Sequence, residues 1–249
     1  MIERERKGDV LVLRLAHGKA SALDLELLRA IAIAVREGAE SDARALVVTG
    51  TGKIFCAGVD LHRLTSEGPE YIRDFLPALD EALLAPMLCP KPVVMAVNGH
   101  AIAGGGILAW TGDWRMMARG GGRIGIPELL VGVPFPVVPL EIARATLPDR
   151  VLRGLALRGE LWPAEGALER SMVDELCEPE ELLGKAVERA AEMGALHGPS
   201  FAATKRILVG RVLSRAAELQ EQQQEVEGVW QHPETINAVK EYVARTLAR

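Results

Sequence analysis

The sequence holds only three cysteines, Cys56, Cys89 and Cys177, far apart and in no CxxC pair. So sparse and odd a set excludes a disulfide framework and points to a reducing compartment. Aromatic residues make up only 4% of the chain, which leaves Leu, Val, Ile and Ala to build a core. No run of Lys or Arg stands clear of acidic neighbours, so the basic stripe that a nucleic-acid surface needs is missing. The histidines His17, His62, His100, His197 and His232 show neither HExxH nor finger-like spacing, and no metal site is expected. The longest apolar stretch, 92–110, contains Asn98, His100 and several glycines, a poor membrane span. Residues 1–6 are too charged for a signal peptide. The chain is therefore expected in the cytoplasm, without a membrane or nucleic-acid partner.

What is present is the composition of a soluble globular protein, 49% hydrophobic and 25% charged. That much apolar surface excludes wholesale disorder. The 29 basic and 34 acidic residues give a net charge of −5, which favours solubility and says little else. A length of 249 residues fits one large domain, or one domain with an appendage.

Short apolar runs predict strands over 9–15, 45–49, 93–97, 114–118 and 123–126. Leu23, Leu27, Leu28, Ile31 and Val35 share one helical face, with Ser21 or Asp24 as its cap. A second helix is expected over 71–88, ended by Pro90 and Pro92, and a short one from the glycine triplet 104–106 to about 112. Beyond Pro136 the pattern is mostly helical, over 180–196, 199–229 with a Gln-rich middle, and 232–247. The alternation of strands and helices predicts an α/β fold, with a core over 1–190 and a helical C-terminal region over 191–249.

Two glycine-containing turns follow buried strands, at 53–61 and 98–106. Glycine there lets backbone approach a ligand closely. A helix beginning at Gly105 leaves free N–H groups, and two such donors aimed at one point would stabilise an oxyanion. Further on, Glu128 is the only charge in the apolar stretch 125–136. Desolvation disfavours its ionised form and moves its pKa toward the range useful for proton transfer. A structural carboxylate that caps a turn is the plainer alternative, and the two nearby glycine turns weigh against it. Asp60 and Asp113 read as structural groups. His62 and His100 read as hydrogen-bonded structural residues, although both could face a pocket. Cys56 has no base beside it and is not expected to be a nucleophile. The Gln-rich segment reads as a solvated or subunit-contacting face. The stretch 120–125 fits GxGxxG, but it runs into Pro127 where a dinucleotide fingerprint would open a helix, so a nicotinamide site is rejected.

The segments Phe55-Cys56-Ala57-Gly58-Val59-Asp60, Asn98-Gly99-His100-Ala101-Ile102-Ala103-Gly104-Gly105-Gly106 and Ile126-Pro127-Glu128 resemble the crotonase superfamily, the enoyl-CoA hydratase/isomerase family. Their order and spacing match over roughly the whole chain. The resemblance implies a spiral of ββα units with a helical C-terminal region that mediates trimer formation, as a homotrimer or a homohexamer. It implies an acyl-CoA thioester as substrate and no cofactor beyond the coenzyme A of that substrate. By position it places the oxyanion hole at the N–H groups of Val59 and Gly105. Hydratases of the family use two glutamates. One sits two residues past the glycine triplet, where this chain has Leu108; the other is Glu128. A single carboxylate suits the family's Δ3,Δ2-enoyl-CoA isomerases, in which one base moves a proton between two carbons. Restoring the missing group by Leu108→Glu is expected to raise hydration. Expected substrate contacts are Lys53, Cys56, Ala57, Gly58 and Gly104, with Leu108, Val133 and Phe135 lining a dry pocket. Lys205 or Arg206 is a candidate for a phosphate contact. Other reactions of the family (hydratase, decarboxylase, thioester hydrolase) and a non-catalytic acyl-CoA-binding protein remain the alternatives.

Overall fold

The computed structural model describes residues 1–246. The chain opens with a hairpin, β1 (Ile2–Lys7) antiparallel to β2 (Val10–Leu15). β1 has no counterpart among the expected strands. Its Glu-Arg-Glu-Arg sequence buries no residue fully, so it carries no apolar period and exists by pairing with β2. A charged strand of this kind suits a sheet edge. Next comes α1 (Leu25–Glu40), capped by Asp24, whose Oδ1 accepts the Leu27 N–H at 2.8 Å. Ser21, the other expected cap, lies upstream at φ +45°.

Three repeats then follow a common plan. Each supplies two strands and then helix. The first is β3 (Ala45–Thr49), β4 (Ile54–Cys56), α2 (Leu61–Glu67) and α3 (Pro69–Leu88). The second is β5 (Val93–Val97), β6 (His100–Ile102) and α4 (Gly104–Trp110). The third is β7 (Trp114–Ala118), β8 (Arg123–Gly125), α5 (Glu128–Val131), α6 (Val137–Thr146) and α7 (Asp149–Arg158). After these come β9 (Leu161–Pro163), α8 (Ala164–Glu169), β10 (Glu175–Cys177), α9 (Leu182–Gly194), α10 (Gly198–Glu218), α11 (Gln220–Gln231) and α12 (Pro233–Thr246).

The first strand of each repeat joins one sheet, of order β1-β2-β3-β5-β7-β10; the second joins another, of order β4-β6-β8-β9. All pairings are parallel except β1 with β2 and β8 with β9. The chain thus winds as the α/β spiral of ββα units that the motifs imply. β3 and β5 are buried on both faces, which is why they read as continuous apolar runs. One face of the large sheet carries Val10, Val12, Val47 and Val94 against Leu182, Ala186 and Ala190 of α9. The other face meets α1 and α3 in the main core, which Val212, Trp230 and Val239 of the last three helices also join.

Several elements differ from expectation. α2 is additional; it is nucleated by Asp60, which accepts the Arg63 N–H at 3.0 Å. β9 and β10 have three residues each, too few to show alternation. The helix expected over 199–229 breaks at Leu219 into α10 and α11. The division expected at 190/191 falls inside α9, which lies on the large sheet. No described helix is long and apolar enough to cross a membrane.

Candidate active site

Asn98 sets the first wall of the site. Its Oδ1 accepts the Gly50 N–H at 2.8 Å, and its Nδ2 donates to the carbonyls of Gly52 (3.0 Å) and Ile54 (3.2 Å). The turn that delivers β4 is thereby fixed to the start of β6. Gly58 follows β4 at φ +84°, and a Cβ there would lie 2.6 Å from the Ile102 carbonyl. Only glycine meets both conditions. Leu23 then bridges the next residue: its N–H donates to the Gly58 carbonyl and its own carbonyl accepts the Asp60 N–H. This pairing turns the Val59 N–H to the opposite edge, where it has no acceptor among the described residues.

The second wall begins at Ala103, a non-glycine residue at φ +54°. Backbone strain of this kind persists only where the surroundings hold it. The Ala103 N–H is tied to the Gly125 carbonyl (2.8 Å), and its carbonyl accepts from Gly106 and Ile107. The N–H groups of Gly104 and Gly105 have no acceptor among the described residues.

A cavity of about 470 Å³ lies between these walls, lined by Val59, Gly104, Ile107 and Glu128 among others. Val131, Val133, Pro136 and Pro139 also line it, with Trp230 of α11 and Tyr242 of α12. Glu128 opens α5, is only 8% exposed, and its Oε2 is buried without a partner among the described residues. Burial pushes its carboxyl up to about 8, against a small opposing effect of its own backbone N–H. A carboxylate so placed is ready to give and take a proton near neutral pH.

The structure brings Val59, Ala57, Gly104, Val133 and Glu128 to this cavity. At the start of α4 both Gly104 and Gly105 offer an N–H without an acceptor among the described residues. The helix begins at Gly104, not Gly105, and it is Gly104 that borders the cavity. Gly105 packs against the backbone of β4, where a Cβ would lie 2.2 Å from the Cys56 carbonyl. Ile107 faces the cavity, while Leu108 lies with Leu13, Leu15 and Ile31 at a separate, nearly filled gap in the core. Lys53 is exposed and is not among the cavity walls; its carbonyl accepts the His100 N–H. The Cys56 side chain is fully buried away from the cavity, its thiol donating to the Ser21 carbonyl at 3.2 Å. Burial raises that thiol to about 12, which leaves it inert. Gly58 shapes the turn without lining the cavity, and Phe135 packs half-buried against the core.

Of the groups read as structural, Asp60 and His62 line the cavity along with His100. Asp60 is committed to its cap on α2. Asp113 accepts from Lys205 Nζ at 2.6 Å and from the Val93 N–H at 2.8 Å. Lys205 is 5% exposed in that ion pair, which withdraws it from any phosphate. The Gln-rich segment is not merely solvated: Gln223 accepts the Val137 N–H at 2.9 Å and donates to Glu227. The last three residues of the GxGxxG stretch, Arg123–Gly125, form β8, and the next helix, α5, opens only at Glu128 after Pro127. Among the described residues no three His, Cys, Asp or Glu side chains are grouped as a metal site would need. Ala20, Ala22, Leu79, Trp230 and Tyr242 also line the cavity. Of these only Trp230 left a signal in sequence, as a lone large aromatic in a polar helix.

The profile of the enoyl-CoA hydratase/isomerase family matches residues 5–245. The chain belongs to that family. It is 27% identical over 212 residues to the rat mitochondrial enoyl-CoA delta isomerase 1, covering 84% of this chain and 73% of the relative. It is 32% identical over 205 residues to the carnitinyl-CoA dehydratase of Salmonella arizonae, covering 81% and 77%. The human mitochondrial Δ3,Δ2-enoyl-CoA isomerase shares its fold, with a TM-score of 0.92 at 23% identity over 98% of this chain and 97% of that one.

Proposed function

We propose that this protein is an enoyl-CoA isomerase that moves the double bond of a 3-enoyl thioester into conjugation, with Glu128 as its only acid and base. The thioester oxygen accepts from the Val59 N–H and from the start of α4, where the Gly105 N–H is as free as that of Gly104, so negative charge arriving there meets donors already in place. The Glu128 carboxylate takes a proton from C2, and the electrons pass into the thioester oxygen as a dienolate. The protonated carboxyl then returns a proton to C4, the double bond settles between C2 and C3, and Glu128 is a carboxylate again. No water or redox partner enters this balance.

The observation that carries the reading is the unpartnered Glu128 oxygen, buried in an apolar cavity whose α4 wall is Ile107. Hydration by two carboxylates lacks its second group at that wall. A soluble, cytoplasmic homotrimer or homohexamer is proposed with this activity, in keeping with the apolar Ile207 and Leu208, which stand 79% and 70% exposed on α10.

The test is a paired assay of 3-hexenoyl-CoA isomerisation and crotonyl-CoA hydration. Isomerisation should dominate, and Glu128→Gln should lower it by about 10²–10⁴-fold. Full activity in that variant overturns the assignment. Tight acyl-CoA binding with no turnover on either substrate would identify a binding protein instead.

A further inference from the structure

We infer that Trp230 sets the longest acyl chain this protein accepts, by closing the cavity beyond the reacting carbons. The inference rests on the proposed placement of the thioester between Val59 and the start of α4, and it deepens that reading by naming what fills the rest of the cavity.

With the thioester oxygen at those two donors, the reacting carbons lie toward Glu128. We take the chain beyond them to run along the segment that follows Glu128, which lines the same cavity. That segment supplies Val131, Val133 and Pro136 to the cavity wall, and Trp230 stands against it. The indole Nε1 donates to the Pro134 carbonyl at 2.9 Å, and the side chain is 2% exposed. An indole held at its one polar atom and otherwise buried, with only its cavity face unpacked, resists swinging aside for a longer chain.

Its helix is fastened as well. Gln223, earlier on α11, accepts the N–H of Val137, the residue after Pro136. α12 is seated on the same wall: a Cβ at Gly132 would lie 2.9 Å from Ala238 Cβ. Trp230 is thus a fixed end wall, where a loop would have been an adjustable one. The cavity walls are largely apolar, so the tail it admits is an unsubstituted hydrocarbon.

The test is a binding series of saturated acyl-CoAs, from butanoyl- to tetradecanoyl-CoA, with the wild-type protein, Trp230→Ala, Trp230→Leu and Trp230→Phe. Saturated thioesters report fit without needing turnover. The wild type should show an affinity maximum, with longer chains falling off by roughly tenfold or more for each methylene that no longer fits. Trp230→Ala and Trp230→Leu should move that maximum to longer chains, and Trp230→Phe should hold it near the wild-type length. Should Trp230→Ala fail to fold, Trp230→Leu and the opposite variant Val133→Phe, which should shorten the preferred chain, still decide. An unchanged profile in the folded variants overturns the inference. A shifted profile in a protein that does not isomerise 3-enoyl-CoA overturns the proposed reaction and leaves Trp230 as the length limit.

Discussion

At the scale of single residues, Glu128 is defined by what does not touch it. Its raised pKa means that the base form is scarce at pH 6 and dominant only above about pH 8. Isomerase kcat/KM should therefore rise across pH 6–8 and then level, a profile that Glu128→Gln should abolish. The same group ties stability to pH. The folded form binds the proton more tightly than the unfolded form, so stability is greatest below the ordinary carboxylate pKa and falls as pH climbs toward 8. Glu128→Gln should remove that decline. Its advantage over the wild type in urea unfolding should grow through this window to roughly 4 kcal/mol at most. Glu128 was legible because one charge in a long apolar run has few plain uses. The glycine triplet was legible as a motif, but nothing in Gly104-Gly105-Gly106 says which glycine starts the helix or which α4 side chain faces the cavity, since a helix turns a different side outward at every step. A pair of variants tells the two α4 side chains apart. Ile107→Glu should bring measurable hydration of crotonyl-CoA. Leu108→Glu should instead bury a charge among Leu13, Leu15 and Ile31 and lower the unfolding midpoint sharply, with no gain in hydration.

At the scale of elements, β2, β3, β5, β7, β8 and α1 were readable because burial imposes a period on sequence. β1, β4, β6, β9, β10 and α2 were not, since each depends on partners far along the chain or on a cap, and β4 and β6 lie in segments that read as glycine turns. The contact between α3 and α11 is also invisible in sequence. There Asp80 has a buried Oδ1 without a partner among the described residues, and burial, with Glu227 nearby, raises its carboxyl to about 7. Removing a charge that nothing compensates should help. Asp80→Asn is expected to raise the thermal midpoint at pH 8 and to lose that advantage near pH 4, where the wild-type carboxyl is protonated in the folded state. The ion pair of Lys205 and Asp113 behaves in the opposite way, because each partner neutralises the other. Lys205→Met should cost about 3–5 kcal/mol in chemical denaturation.

At the scale of the whole molecule, the spiral sends the first strand of each repeat to one sheet and the second to the other. Loops from successive repeats therefore meet at one place, and residues as far apart as Val59, Gly104 and Glu128 border one cavity. The C-terminal helices complete it with Trp230 and Tyr242. Sequence showed these helices as elements but gave no sign of where they dock, since amphipathic patterning identifies a buried face and not its partner. Light scattering should report a mass three or six times that of the chain; a monomer at micromolar concentration would contradict the proposed assembly.

The wall built by Trp230 and Tyr242 also bears on how the protein is made. Base and backbone donors are encoded in the first 128 residues, yet the chamber that keeps them dry is finished only by the final two helices. A nascent chain still tethered to its ribosome short of α11 should be catalytically silent, and a stalled-translation assay in which activity appears only on release would show it. On the proposed function, a thioester would then meet a working site only after α11 and α12 have been made.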